Sequence, residues 1–162
     1  MYAIQTNIFG NHAAACWNCG QVFGPLITFT GTECPVCLAD NRLSPGPAQE
    51  GEFRFWREND GVNEGVAQSN LAQRYVMHSP TGFEWGYGGS GPADLALNMV
   101  QYVLENNQWQ GERVRRGWFE EAEAFHQEVK RNWLVNIPRE GGTIDYRQFE
   151  RVVMELVKRY DA

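Results

Sequence analysis

The stretch FEWGYGGSGPADLAL, residues 83–97, places Phe83, Trp85 and Tyr87 in alternation, then Gly86, Gly88, Gly89 and Gly91, then a proline that opens an apolar run. Alternation puts the three aromatic side chains on one face of a strand. Pro92 suits the first turn of a helix, where no amide donor is needed, and Leu95, Met99 and Val103 follow at spacing four. The stretch therefore predicts a strand, a glycine-rich turn and a helix from Pro92 to about Glu105. Such a sequence belongs to a mixed α+β domain.

Working towards the N-terminus, Gln73–His78 reads as a second strand. Ser79-Pro80-Thr81-Gly82 between the two has proline and glycine where a type I turn wants them, which predicts a hairpin. Residues 59–71 read as a loop or short helix, and Glu52–Glu58 (EFRFWRE) as a strand rich in aromatics. Working towards the C-terminus, residues 117–134 carry Trp118, Phe119, Ala122, Phe125, Val129 and Trp133 at helical spacing, a stripe wide enough for the central helix of the core. Pro138 and Gly141-Gly142 then break the chain. A last helix starts at Asp145 as N-cap, with Gln148 as its capping-box partner and Ile144 and Phe149 as a hydrophobic staple. The expected fold class is α+β: a small N-terminal zinc ribbon followed by a short antiparallel sheet packed against about three α-helices. The expected boundaries are residues 1–41 for the ribbon, 42–51 (RLSPGPAQEG) for a linker and 52–162 for the α+β domain.

The glycine turn has two readings. A helix N-terminus offers unpaired amides and partial positive charge, and glycines let an anion approach them, so Gly88, Gly89, Ser90 and Gly91 are candidate ligand-binding residues for a nucleotide or phosphate. Against this, the turn lacks the Gly-Lys-Ser/Thr ending of a P-loop, and Asp94 in the helix's first turn would repel phosphate. A structural turn is favoured. The run WGYGGSGPADLA, with the capped helix downstream, resembles a family of small proteins of bacteriophages and bacterial mobile elements, classed as a domain of unknown function, over roughly residues 52–160. The resemblance implies no activity, cofactor or functional residue. It implies a setting, that of a bacteriophage protein in the cytoplasm of its host.

Cys16, Cys19, Cys34 and Cys37 form two Cys-x-x-Cys pairs, CWNC and CPVC, separated by fourteen residues. Two such knuckles supply the tetrahedral thiolate cage that zinc prefers, and the pattern resembles a zinc ribbon over residues 14–40. One structural zinc ion is expected, since four sulfurs leave no open position for catalysis. Disulfides and a redox motif fit less well, for no targeting segment is recognisable and a redox motif needs one pair. Val22-Phe23 and Leu26–Thr30 read as short strands of this module, and His12 as a surface histidine.

The 162 residues carry 14 Lys and Arg against 20 Asp and Glu, a formal charge of −6. All the excess acid lies in residues 1–110. That disfavours nucleic acid as a partner, because affinity for it rests on neutralising phosphates. Met1–Thr32 contains no charged residue but is broken by polar residues and Pro25, so neither a signal peptide nor a membrane span is expected, and the location is read as cytoplasmic. Trp17, Arg113, Arg115 and Arg116 are the candidate interaction surface, although glutamates flank the arginines. His78 and His126 lie in no metal-binding spacing and read as structural histidines. With no nucleophile–base pair apparent, the sequence leans away from an enzyme and towards a non-enzymatic zinc-binding interaction protein whose partner is a host protein, a counter-defence inhibitor being one form. A nucleotide-handling protein and a nucleic-acid-binding accessory are the alternatives.

Overall fold

The computed structural model describes residues 46–58 and 65–161, together with the short segments 14–15 and 22–23. The chain divides into two compact units, Met1–Pro45 and Gly46–Ala162. In the first, β1 (Ala14–Ala15) pairs antiparallel with β2 (Val22–Phe23), Ala14 opposite Phe23 and Ala15 opposite Val22. The strand expected at Val22-Phe23 is present; the rest of the expected ribbon lies outside the described residues.

The second unit holds α1 (Gly46–Glu50), β3 (Glu52–Glu58), β4 (Val66–Ser69), α2 (Ser90–Asn106), α3 (Glu120–Val129), a π-helical turn (Lys130–Leu134), β5 (Gly141–Asp145) and α4 (Tyr146–Tyr160). It is an α+β unit with one three-stranded antiparallel sheet in the order β4-β3-β5. β3 is the central strand. Its alternation buries Phe53 and Phe55 and exposes Arg54. Phe53 stands opposite Ile144 of β5 and meets Phe149 of α4 edge-on at 5.3 Å, with Tyr102 of α2 at 6.0 Å. The sheet's apolar face is thereby closed by α2 and α4.

The strands differ from those expected around the glycine stretch. Residues 73–78 and 83–87 form no hairpin; the second and third strands are β4 and β5. Gly141 and Gly142, read as breakers, lie within β5 opposite Trp56 and Phe55. At Gly141, φ is +120°, and a β-carbon would lie 2.1 Å from the carbonyl oxygen of Phe55, so glycine is what the close approach of the strands requires. The stretch read as a linker also contains structure. Residues 46–50 form the helical turn α1, in which Pro47 is buried and the amide of Ala48 donates to the Tyr102 hydroxyl at 3.2 Å.

The helices follow the sequence more closely. α4 starts where expected, the Asp145 carboxylate accepting from the Gln148 amide at 2.7 Å while Ile144 and Phe149 are both buried. α3 begins at Glu120, with Trp118 and Phe119 buried just ahead of it. Its last turn widens to π geometry, the amide of Val135 donating to the Lys130 carbonyl. Val129 and Leu134, five residues apart, are both buried as a result. The central helix is α2 rather than α3. Every residue from Gly91 to Gln101 is buried, including Asp94, Asn98 and Gln101. Charged or amide side chains at such depth require hydrogen-bond partners.

Candidate functional site

Twenty residues without helix or strand, 70–89, connect β4 to α2. Irregular connections of that length are uncommon inside compact domains and are generally functional when ordered. Their order comes from the polar side of α2. The Asp94 carboxylate, fully buried, accepts from the backbone amides of Met77 (3.1 Å), His78 (2.9 Å) and Ser79 (2.9 Å). One turn on, the Asn98 side-chain oxygen accepts from the amides of Arg74 and Tyr75, and its nitrogen donates to the Tyr75 carbonyl at 2.7 Å. Side chains here do the work of a neighbouring strand. That is why residues 73–78, extended in pattern, join no sheet.

The stripe continues to the end of the helix. The Gln101 side chain accepts from the amide of Phe119 at 2.7 Å and donates to Glu105 at 2.8 Å. Glu105 in turn accepts from Arg74 at 2.8 Å and from the Tyr75 hydroxyl at 2.7 Å. Burial and the Glu105 carboxylate both push the Tyr75 phenol above its ordinary value, so it stays a donor. Asp94, expected in the first turn, lies beyond it, because α2 starts at Ser90 and has no acidic residue in that turn; it belongs instead to a row that ties two non-regular segments to one helix.

The glycine turn is anchored at its start and exposed at Tyr87, Gly88 and Ser90. Gly86 has φ +80°, its amide donates to the Leu134 carbonyl, and Trp85, buried against Phe55, donates from its indole to the Pro138 carbonyl. Of the candidate ligand residues, Gly89 is the N-cap of α2 and makes no side-chain cap, and its open side is covered by the Tyr87 ring. Gly91 faces the Glu84 side chain, while Gly88 has free space beside it and accepts from Lys130 at 3.2 Å. Ser90 is exposed. Glu84 pairs with Arg57 at 2.6 Å beside this helix end, and its carboxylate disfavours an anion there.

The arginine patch splits. Arg113 turns inward, donating to the Gly117 carbonyl at 2.8 Å, lying over the Phe119 ring and standing 3.6 Å from Glu105. Arg115 and Arg116 are exposed, Arg116 beside the Trp118 ring. Cys16, Cys19, Cys34, Cys37 and Trp17 lie outside the described residues. Among the described residues, no group of three or more His, Cys, Asp or Glu side chains is placed to hold a metal, and no helix is long and apolar enough to cross a membrane.

One pair that spacing could not suggest is brought together. Nε2 of His78, in the 70–89 loop, lies 3.1 Å from Nε2 of His126 on α3. His78 is exposed and His126 buried. Burial lowers the His126 imidazole below the ordinary histidine value, its bond to the Glu123 carbonyl opposing and the nearby His78 adding to the effect.

Compared with known proteins, the chain matches the family of unknown function DUF6166 over residues 53–155. No curated protein and no solved structure matches it.

Proposed function

The chain belongs to the DUF6166 family of unknown function, and from that premise we propose that it is a non-enzymatic protein-binding module that presents the 70–89 loop to a protein partner. The ordered loop is the observation that carries the reading. A rigid helix fixes it through Asp94, Asn98 and Glu105, and binding surfaces are commonly loops held on such scaffolds. Val76 and Tyr87 in the loop are about half exposed, two of the three large apolar side chains so exposed among the described residues. The partner is a host protein in the setting that the family resemblance implies, a bacteriophage protein in the host cytoplasm, and inhibition of a defence component is one form the interaction takes.

The N-terminal unit, in this reading, holds one structural zinc ion through Cys16, Cys19, Cys34 and Cys37. The spacing supports it, and in sequence the first pair falls between the paired strands β1 and β2. Native mass spectrometry is expected to find one zinc per chain, lost in Cys34→Ser; free thiols without metal would overturn the zinc assignment.

Affinity purification of the full chain from bacterial host cells tests the binding role. A stoichiometric protein partner is expected with the wild type and is expected to be lost with Val76→Asp plus Tyr87→Ser at unchanged melting temperature. Failure to recover any partner, or equal recovery with the loop variant, would count against the proposal.

A further inference from the structure

We infer that His78 and His126 form a pH-sensitive latch that fastens the 70–89 loop to α3. The two Nε2 atoms are 3.1 Å apart and the ring centroids 5.3 Å apart, with planes 29° from each other. The centroid separation exceeds the nitrogen separation by nearly two ring radii, so the rings meet nitrogen to nitrogen. A hydrogen bond between them needs one N–H and one lone pair.

The surroundings assign these roles. Nδ1 of His126 lies against the backbone carbonyl of Glu123, which can only accept, so Nδ1 carries the proton. The neutral ring then presents a lone pair at Nε2, which accepts from Nε2–H of His78 and from the Gln127 amide at 2.8 Å. A proton on His78 alone leaves this bond intact. A proton on His126 alone is likewise accommodated, because a neutral His78 can turn its lone pair to it; protons on both rings set N–H against N–H, and the latch must open.

The charges around the pair do not remove this conflict. On α3 itself, Glu123 favours and Lys130 disfavours a charged His126. From the loop, His78 disfavours it. From α2, the Asp94 carboxylate is engaged by the backbone amide of His78, and the arginine that α4 brings to α3, Arg159, faces Glu128. Because the folded-state value of His126 is lowered, the latch is intact above the ordinary histidine range and is lost as pH falls through that lowered value. His78, being exposed, lets water reach the pair once the loop moves.

The latch concerns how the loop is held, and stands apart from what the loop binds. Hydrogen exchange of the full chain at about pH 7.5 and about pH 5.5, corrected for intrinsic rates, tests it against His78→Gln. The glutamine amide can offer N–H to a neutral His126 or oxygen to a protonated one. Protection of the 76–79 amides is expected to fall severalfold on acidification in the wild type and to stay level in His78→Gln. An equal pH response in the two proteins would overturn the inference. So would nitrogen NMR of the wild type at neutral pH if it placed the His126 proton on Nε2 instead of Nδ1.

Discussion

Two parts of the molecule carry extended chain into a helix and are held by different means. In the β5–α4 segment, residues 141–160, the strand pairs with β3, the Asp145 carboxylate caps the helix three residues on, and Ile144 and Phe149 close a local staple. In the 70–89 segment the backbone joins no strand, and its amides go to Asp94 and Asn98 on a helix 15 to 24 residues away in sequence. The first part uses short-range devices that any helix start could share. The second uses buried polar groups whose sole justification is the loop they hold. Losing a short-range device costs one cap or one contact, whereas losing a buried carboxylate strands several amides at once.

The contrast can be tested by substitution, beginning where the effect should be greatest. Asp94→Ala removes the acceptor of three backbone amides in a fully buried site and should cost about 3–5 kcal/mol in denaturant unfolding. A loss below about 1 kcal/mol would show that the loop does not depend on α2. Glu105→Gln breaks a pair whose side chains are only 9% and 10% exposed and should cost roughly 3 kcal/mol, because Arg74 then keeps its charge without its partner. On the other side of the comparison, Gly141→Ala must push a methyl group towards the Phe55 carbonyl from a left-handed backbone, for about 2–3 kcal/mol in the same measurement. Asp145→Ala removes only the N-cap of α4 and should cost about 1 kcal/mol. If thermal melts ranked Asp145→Ala above Asp94→Ala, the comparison would be reversed.

The same contrast explains what was legible in the sequence. Strand Glu52–Glu58, the start of α4 and the body of α2 are set by alternation, a capping box and proline placement, all within a few residues. The hairpin expected over residues 73–87 failed because its extended pattern had another destination: its amides met α2 side chains, and the alternating Trp85 and Tyr87 ended one buried and the other half exposed. β5 was hidden because its two glycines looked like punctuation, although one is demanded by the closeness of β3. By position Asp94 has the look of a helix-dipole residue, and the polar stripe Asp94, Asn98, Gln101 and Glu105 runs beside the more conspicuous apolar Leu95, Met99 and Val103. Polar residues recurring every three to four positions in an otherwise apolar helix are the signal that could have revealed it. The His78–His126 pair is separated by 48 residues, and no spacing rule reaches so far.

Residue-resolved hydrogen exchange at neutral pH tests the central claim most directly, namely that α2 side chains give residues 70–89 a fixed shape. The amides of Tyr75, Met77, His78 and Ser79 should exchange slowly, on the scale of those in β3, although they belong to no strand. Exchange at the rate of a free chain at these four positions would contradict the account.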